Sequence, residues 1–399
     1  MTNIRKHSKF IFHKPIIQLL AVTMLISYLL TGCKKDAAPE QAKLDAQAQT
    51  LDQLTAKWGL PNIVVHNGES IQAAVNKAKK GWIIFIEPGT YSEAIVVSKP
   101  GIKLIGEFSL WGNGVVIKNP GDEEDGIAVT DKGDGFVLAN VTVKNFEENG
   151  VYLDSVDNFI ISFVTAINDG EYGIFPVHSN HGVVEFCVVT GCSDTGIYVG
   201  QSSDVKMQFN KVYGNVNGLE IENSSYVTAE NNNSYNNVCG LLIDLLPGKD
   251  IKTSANILVS NNHIHDNNHI NFGEPGSLES VVPTGLGILV LGTDATTIEN
   301  NKITGNGFAG VAVFSTLILA SLAGIPPGDI LADIEPYPDG DKIRNNTLKN
   351  NGFNPPAALG LPGVDLLYDG SGTNNCWSNN TFTTSFNLGT LSPQLPSCN

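Results

Sequence analysis

The middle of the chain repeats one short pattern of apolar and polar positions. A glycine is followed by apolar residues one and three places later, while the positions between them vary. Alternation with a period of two predicts a β-strand with one buried face. The repeat begins at Gly126, Gly150, Gly173, Gly196, Gly218, Gly240, Gly287 and Gly310.

The spacing of these glycines predicts a solenoid. The first five separations are 24, 23, 23, 22 and 22 residues. A unit of this size cannot bury its apolar face alone, whereas stacked units share one core. The 47 residues between Gly240 and Gly287 are either two coils or one coil with an insertion, and a further coil is expected at Gly363. We therefore predict an all-β fold, a single right-handed parallel β-helix over residues 58–399, with insertions around residues 245–286 and 315–345.

Polar residues also recur at fixed places in the repeat. Ser179, Ser202 and Ser224 each follow the glycine by six residues, and Asn210 and Asn232 lie eight residues beyond the last two serines. Asparagines stacked at one turn hydrogen-bond to each other along the axis of a solenoid. The sequence thus predicts an asparagine ladder.

The two ends of the predicted solenoid carry different features. Residues 70–80 place Ile71, Ala74 and Val75 on one face, which predicts a short amphipathic helix over the open end. Cys376 and Cys398 bracket the final segment and are candidates for a disulfide. The remaining cysteines after Cys33 are predicted to be unpaired, and their spacing does not suggest zinc: Cys187, Cys192 and Cys239. The apolar run at residues 317–323 predicts either a packed loop helix or a docking surface.

The N-terminus has the pattern of an export signal, with four basic residues before an apolar run at positions 16–30. The run ends Leu30-Thr31-Gly32-Cys33, which resembles the lipobox of bacterial lipoproteins. The resemblance implies a signal peptide at residues 1–32, a lipid anchor at Cys33, a tether at residues 33–57, and a place in the cell envelope at the outer membrane, periplasmic or surface-exposed. A transmembrane anchor or an ordinary signal peptide is the alternative, but the run is short for a span.

Composition narrows the class of partner. The chain has 40 acidic and 24 basic residues, a net charge of −16, and 42% apolar residues. This charge argues against nucleic acid, because phosphates need clustered Lys and Arg. The apolar fraction excludes wholesale disorder.

Two blocks resemble known β-helix proteins. Residues 71–106 resemble the opening coil of the pectin-lyase-like superfamily, and the repeats at residues 172–177, 196–202 and 218–224 resemble secreted or lipid-anchored bacterial parallel β-helix repeat proteins. The resemblance covers about residues 60–385. It implies envelope export and often a co-exported protein partner, with no settled reaction.

Positions two and four after each glycine point away from the core, and equal positions in successive coils stack about 4.8 Å apart. These positions hold an aromatic stripe that runs into three carboxylates. Such a face suits sugar rings and hydroxyls, although ladder stacking, with acids for solubility, is the alternative. The candidate binding residues on and beside it are Tyr152, Asp154, Tyr172, Phe175, His178, Tyr198, Gln201, Glu220, Glu222 and Asp244.

Stacked like charges at Glu222 and Asp244 require a cation, a ligand or a raised pKa. Calcium is chemically acceptable to these oxygens. Because two or three carboxylates on a flat face make a poor cage, no metal site and no cofactor are predicted.

A segment of the stripe is similar to a catalytic motif. Alginate epimerases and related lyases on this fold carry Tyr-Gly-Phe-Asp-Pro-His-Asp. Here Tyr172, Gly173 and Pro176 match, but Phe175 replaces the aspartate and Val177 the histidine, and His178 comes one place late. Because of that shift, the side chain of His178 is expected to point away from the stripe and to lie exposed in a turn.

Three functions follow, and the sequence leaves catalysis and the catalytic residues undecided. The first is a lipoprotein that binds, with or without turnover, an extracellular polysaccharide on the aromatic and acidic face. The second is a non-catalytic scaffold that docks a co-exported protein. The third is a uronate polysaccharide epimerase or lyase, against which the altered motif argues; a glycoside hydrolase would need two carboxylates at a set separation.

Overall fold

The computed structural model describes residues 59–107 and 114–398. The predicted signal peptide, Cys33 and the tether lie outside the described residues. Within them the strands form three parallel sheets of twelve, ten and eleven strands, and each complete coil gives one strand to each sheet. The predicted parallel β-helix is thereby confirmed.

Sheet 1 opens the solenoid and runs through twelve coils of the described chain. Its strands are Ile63–Val65, Ile83–Ile86, Lys103–Gly106, Val137–Ala139, Ile160–Ser162, Val183–Glu185, Lys206–Gln208, Thr228–Glu230, Leu258–Ser260, Thr297–Glu299, Lys342–Arg344 and Cys376–Ser378. Sheet 2 consists of Gly89–Ser92, Val115–Lys118, Val141–Lys144, Thr165–Ile167, Val188–Thr190, Lys211–Tyr213, Asn233–Tyr235, His263–His265, Lys302–Thr304 and Thr347–Lys349.

Sheet 3 contains the strands that carry the repeating glycines, each glycine being the second residue of its strand. Its strands are Ile95–Val97, Asp125–Val129, Asn149–Asp154, Tyr172–Val177, Thr195–Gly200, Asn217–Glu222, Cys239–Asp244, Leu286–Leu291, Ala309–Phe314, Val364–Tyr368 and Ser385–Asn387. The residues one and three places after each glycine point into the solenoid, where they are buried in one continuous apolar core.

The irregular spacings in the repeat are loops, not extra coils. Cys239–Asp244 pairs directly with Leu286–Leu291, so the 47-residue separation is a single coil. That coil still supplies strands to sheets 1 and 2, so the predicted insertion at 245–286 is two separate excursions, at residues 245–257 and 266–285.

Two further excursions occupy residues 315–341 and 350–363. The predicted insertion at 315–345 is the first of these and contains the short helices Leu319–Leu322 and Pro327–Asp333. Leu319 is buried against Leu245, Leu246 and Ile330, as expected for a packed loop helix. Three-residue 3-10 helices lie in the later excursions at Glu279–Val281, Thr316–Ile318 and Ala357–Leu359. Across the described ranges, the helices are all too short, or too polar, to cross a bilayer.

The asparagine ladder is confirmed. The backbone N–H of Asn232 and its side-chain amide both donate to Asn262 Oδ1, at 2.8 and 3.0 Å. Asn262 repeats this pattern toward Asn301 at 2.9 and 3.0 Å. A parallel ladder stands at the next corner and joins Cys192, Asn215, Asn237, Asn267, Asn306 and Asn351.

Both predicted end features are present. Helix α1 (Ile71–Lys77) begins after Ser70, whose hydroxyl accepts from the Ala73 N–H, and it buries Ile71, Ala74 and Val75. Cys376 and Cys398 form a disulfide. Among the described residues the free cysteines are, as predicted, Cys187, Cys192 and Cys239, all of them buried.

Asp169 occupies an asparagine position in the second ladder. Its Oδ1 accepts from the Phe146 N–H at 3.1 Å, as Asn215 Oδ1 accepts from Cys192. Asn215 also donates its amide to the Val189 carbonyl, whereas Asp169 Oδ2 is buried and has no hydrogen-bond partner among the described residues. Burial raises the pKa of Asp169 to about 7, although the N–H donor opposes this rise.

We expect Asp169→Asn to stabilise the protein, and more so at pH 8 than at pH 6. A raised pKa means that the folded state prefers the protonated acid, so its contribution is lost as pH rises through about 7. The amide supplies the missing donor permanently, and the gain should be about 1–2 kcal/mol at pH 8. Urea denaturation at both pH values measures it. The reverse change, Asn215→Asp, is the matched control and should create the same pH dependence; an unchanged or less stable Asp169→Asn variant at pH 8 would contradict the argument.

Candidate functional site

The outer face of sheet 3 carries the predicted columns in the predicted register. Tyr152 pairs with Phe175 on the next coil, and Glu220 pairs with Tyr198 before it. Glu222 pairs with Asp244. All ten candidate residues lie on or beside this face, but the structure divides them into two parts. The open half comprises Tyr152, Asp154, Tyr172, Phe175 and His178, and the covered half comprises Tyr198, Gln201, Glu220, Glu222 and Asp244.

Stacked rings form the open half. Tyr152 and Phe175 have ring centroids 5.4 Å apart with planes inclined by 28°. Tyr172 stacks on the same Phe175 ring at 4.2 Å and 13°. All three rings are half-buried, so part of each surface meets solvent. Beyond them Tyr198 closes the column, with its ring edge-on to Phe175 at 4.7 Å.

His178 borders the open half, contrary to the prediction. Its φ of +49° lies in the left-handed region, just after the strand Tyr172–Val177, so the alternation of the strand no longer fixes the direction of its side chain. Nδ1 lies 3.4 Å from Asp154 Oδ1, and Nε2 lies 3.7 Å from an Asp250 carboxylate oxygen. His178 is thus a polar neighbour of the stacked rings.

Gln201 has the same left-handed backbone one coil later, with φ of +49°. Its side-chain oxygen accepts from the Asp250 and Ile251 N–H groups at 2.7 and 3.3 Å. Gln201 therefore holds the excursion at 245–257 against the face.

The covered half buries its carboxylates, which the sequence argument had placed on an accessible surface. Glu220, Glu222 and Asp244 are 2%, 4% and 2% exposed. The excursion at 245–257 contributes to this burial, because it brings Lys249 Nζ to 2.9 Å from Glu222 Oε2. Glu279, in the excursion at 266–285, also acts on Glu220 and Asp244. The three carboxyl groups have oxygens within 4.8 Å of one another.

Neighbouring polar groups hold these acids in place. The Tyr198 hydroxyl donates to Glu222 Oε1 at 2.6 Å. The Thr195 hydroxyl and the Asn217 amide both donate to Glu220 Oε2. Gly200 makes room for this arrangement, since a Cβ there would collide with the Tyr198 hydroxyl.

The covered half retains protons at neutral pH. Burial raises the pKa of Glu220 to about 8, and the nearby charges of Glu222 and Glu279 add to the rise. Burial and the charges of Glu220 and Glu222 raise the pKa of Asp244 well above its ordinary range, against the opposing charge of Lys249. A carboxyl group that stays protonated can donate a hydrogen bond or a proton.

The Tyr172 phenol also has a perturbed pKa. Burial raises the pKa of its phenol strongly, and the charges of Asp194 and Glu220 raise it further. The phenol therefore stays protonated and can donate, but it cannot serve as the base that would remove a sugar proton.

Sequence reasoning missed Asp194, Lys249, Asp250 and Glu279. Asp194 precedes its repeat glycine by two places, outside the alternating positions. The other three lie in excursions, where no repeat fixes the direction of a side chain. Each of the four nevertheless acts on the electrostatics or the covering of the face.

Comparisons with known proteins agree with this architecture. The family described as "Right handed beta helix region" matches residues 125–247 and 244–391. The fold is similar to the A-module of a mannuronan C-5 epimerase from Azotobacter vinelandii, with a TM-score of 0.56 and 16% identity over 82% of this chain and 94% of that one. It is also similar to the DFA-IIIase of Arthrobacter chlorophenolicus, with a TM-score of 0.54 and 13% identity over 82% and 83%. A search of curated proteins finds no match. At these identities the structural likeness shows a shared fold.

Proposed function

This chain belongs to the right-handed beta helix family, and from that premise we propose that it binds an extracellular polysaccharide along the open half of the sheet 3 face. The observation that carries the proposal is the continuous stack of Tyr152, Phe175 and Tyr172, with centroids 5.4 and 4.2 Å apart and partly exposed rings. Flat aromatic surfaces accept the apolar faces of sugar rings.

Polar groups beside the stack complement the hydroxyl groups of a sugar. Asp154 accepts hydrogen bonds, and its side chain is 46% exposed. His178, which is 37% exposed, contacts Asp154 and offers a ring that donates or accepts according to its tautomer. A polymer that stacks on the rings would place hydroxyl groups within reach of this pair.

Analogy in fold adds support from outside the chain. A structural neighbour is an epimerase that acts on mannuronan. Because one fold supports many functions, the proposal rests on the partly exposed stack. It concerns binding rather than turnover, because Phe175 and Val177 stand where the related motif has its aspartate and histidine, and the Tyr172 phenol is held protonated.

We also propose that the binding face is displayed in the bacterial cell envelope through a lipid on Cys33. The support is the sequence Leu30-Thr31-Gly32-Cys33 after an apolar run. Labelling of cells with a fatty-acid probe tests this, since a Cys33→Ser variant should carry no label while its folded domain is unchanged.

We expect Phe175→Ala to weaken binding to the polysaccharide at least about fivefold, and Tyr152→Ala to weaken it to a similar degree. Each change removes a ring face worth about 1 kcal/mol or more to a stacked ligand. A glycan array identifies the polymer, and affinity electrophoresis with that polymer measures the loss. Analysis of the polymer after incubation reports any unsaturated or epimerised product.

The matched control is Phe186→Ala. Phe186 belongs to a stack of three phenylalanines at another corner of the solenoid, with centroids 4.9 and 5.0 Å apart. Loss of the Phe186 ring should leave polysaccharide binding unchanged while removing packing contacts similar to those of Phe175. If the polysaccharide retains the Phe175→Ala and Tyr152→Ala variants as strongly as the unmodified protein, the open half is not the binding site. Tyr198 is unsuitable for this test because it is only 3% exposed.

A further inference from the structure

We infer that the covered half of the sheet 3 face binds one divalent cation, with calcium the best match, between Glu220, Glu222 and Asp244. Their carboxyl oxygens lie within 4.8 Å of one another, and all three residues are buried. Calcium binds carboxylate oxygens at about 2.3–2.6 Å, so two oxygens on opposite sides of one ion lie about 4.6–5.2 Å apart. The three oxygens are therefore close enough to share an ion.

Unpartnered atoms point to a ligand independently of the clustering. Asp244 Oδ1 is fully buried and accepts no hydrogen bond from the described residues, although Asp244 faces the two glutamates. The side-chain oxygen of Asn217 is likewise buried and unpartnered within the described chain, and the same amide donates to Glu220. A buried acceptor without a donor destabilises the folded chain. A bound cation would satisfy the carboxylate oxygen.

The balance of charge fits a divalent ion. Three ionised carboxylates carry three negative charges, and the ammonium that reaches them is Lys249, 2.9 Å from Glu222. Two negative charges remain, which one divalent ion neutralises. The other ionisable groups nearby, Glu279 among them, are acids and add negative potential.

The excursion at 245–257 removes the reason for which the sequence predicted no metal site, namely that the carboxylates would lie on a flat, open face. A flat strand face would leave an ion open to water. The folded loop closes the face, with Leu246 N–H and Asn223 Oδ1 joined at 2.8 Å and the Asn223 amide donating to the Ile251 carbonyl at 2.6 Å. The carboxylates are consequently enclosed. The inference concerns the covered half and does not rest on polysaccharide binding by the open half.

The test is calorimetric titration of the purified full chain, stripped with EDTA, with CaCl2 at pH 7 and with MgCl2 in parallel. We expect one equivalent of calcium to bind more tightly than magnesium and to raise the midpoint of thermal unfolding. Absence of saturable calcium binding would overturn the inference.

Variants locate the ion. Asp244→Asn should weaken calcium binding at least tenfold, while Asp339→Asn should leave it unchanged. Asp339 is the matched control, since it belongs to a second acidic cluster with Asp294 and Glu335 whose residues are largely exposed. Equal loss in both variants, or loss in Asp339→Asn alone, would reject the site.

Lys249→Met keeps the inference testable if the first variant folds poorly. Removal of the ammonium leaves the carboxylates with a greater negative charge, so calcium affinity should rise about tenfold even though the protein is less stable in EDTA. A purely structural cluster that holds protons would give lower stability and no calcium binding in this variant, and that result would overturn the inference.

Discussion

Replacement of Asn262 by alanine is expected to lower the free energy of unfolding by about 4 kcal/mol. The side-chain oxygen of Asn262 accepts from the Asn232 N–H and amide, and its own amide donates to the Ala229 carbonyl at 2.9 Å. The change leaves these buried groups unpaired, and each such group costs about 1–3 kcal/mol. Because neighbouring coils contact only each other, the loss should also weaken the coupling between the two ends of the solenoid.

Urea denaturation of the full chain measures this effect. Asn380→Ala is the matched control, because Asn380 ends the same ladder, is partly exposed and can exchange its partners for water. Its expected loss is about 1 kcal/mol. A loss of unfolding free energy below about 1 kcal/mol for Asn262→Ala, or equal losses in the two variants, would show that the ladder does not stabilise the fold as its hydrogen bonds indicate.

In calcium-free buffer the protein is expected to lose stability as pH rises from 5 to 9. Glu220 has its pKa raised from 4.5 to about 8 in the folded state, so the folded chain binds a proton that the unfolded chain has already released. The stabilisation is complete below the unfolded value and disappears as pH passes the folded one. The loss from Glu220 is on the order of 5 kcal/mol as an upper bound, and Asp244 acts in the same direction.

The midpoint of urea unfolding at pH 5, 7 and 9 tests this. Glu220→Gln should flatten the decline, because the amide does not ionise, whereas Glu230→Gln on sheet 1 should leave it unchanged. Saturating calcium should also reduce the decline if the inferred ion replaces the protons. Constant or increasing stability between pH 5 and 9 in EDTA would contradict the protonated cluster.

The fold was predictable because its rules are local and repeat in every coil. A glycine such as Gly218, two inward apolar residues and a serine or asparagine at a fixed offset specify the strand, its buried face and its register with the next coil. The pairing of Glu220 with Tyr198 and of Glu222 with Asp244 followed from counting along the sequence. The predicted disulfide was likewise confirmed.

The burial of the acids was not predictable in the same way. It depends on Lys249 and its neighbours, which lie in an excursion without counterparts in other coils. A periodic pattern states which way Glu222 points, but it does not state whether another segment folds over that side chain. His178 shows a second limit, because counting alternate positions holds only inside a strand. His178 follows the end of its strand with a φ of +49°, so the direction of its side chain cannot be obtained by counting.

The excursions leave the geometry of the coil unchanged. In the ladder, the backbone N–H of one asparagine donates a hydrogen bond to the side-chain oxygen of the next. This bond is 2.9 Å long between Asn210 and Asn232, which are 22 residues apart, and also 2.9 Å long between Asn301 and Asn346, which are 45 residues apart. Loop length and coil geometry are thus independent variables, as the slow growth of closure entropy with length allows. A chain of this kind can diversify by exchanging whole loops beside sheet 3 while every coil stays as it is. The excursion at 245–257, which borders the open half where Asp250 meets His178, is accordingly the place where a grafted loop would give the same frame a new specificity.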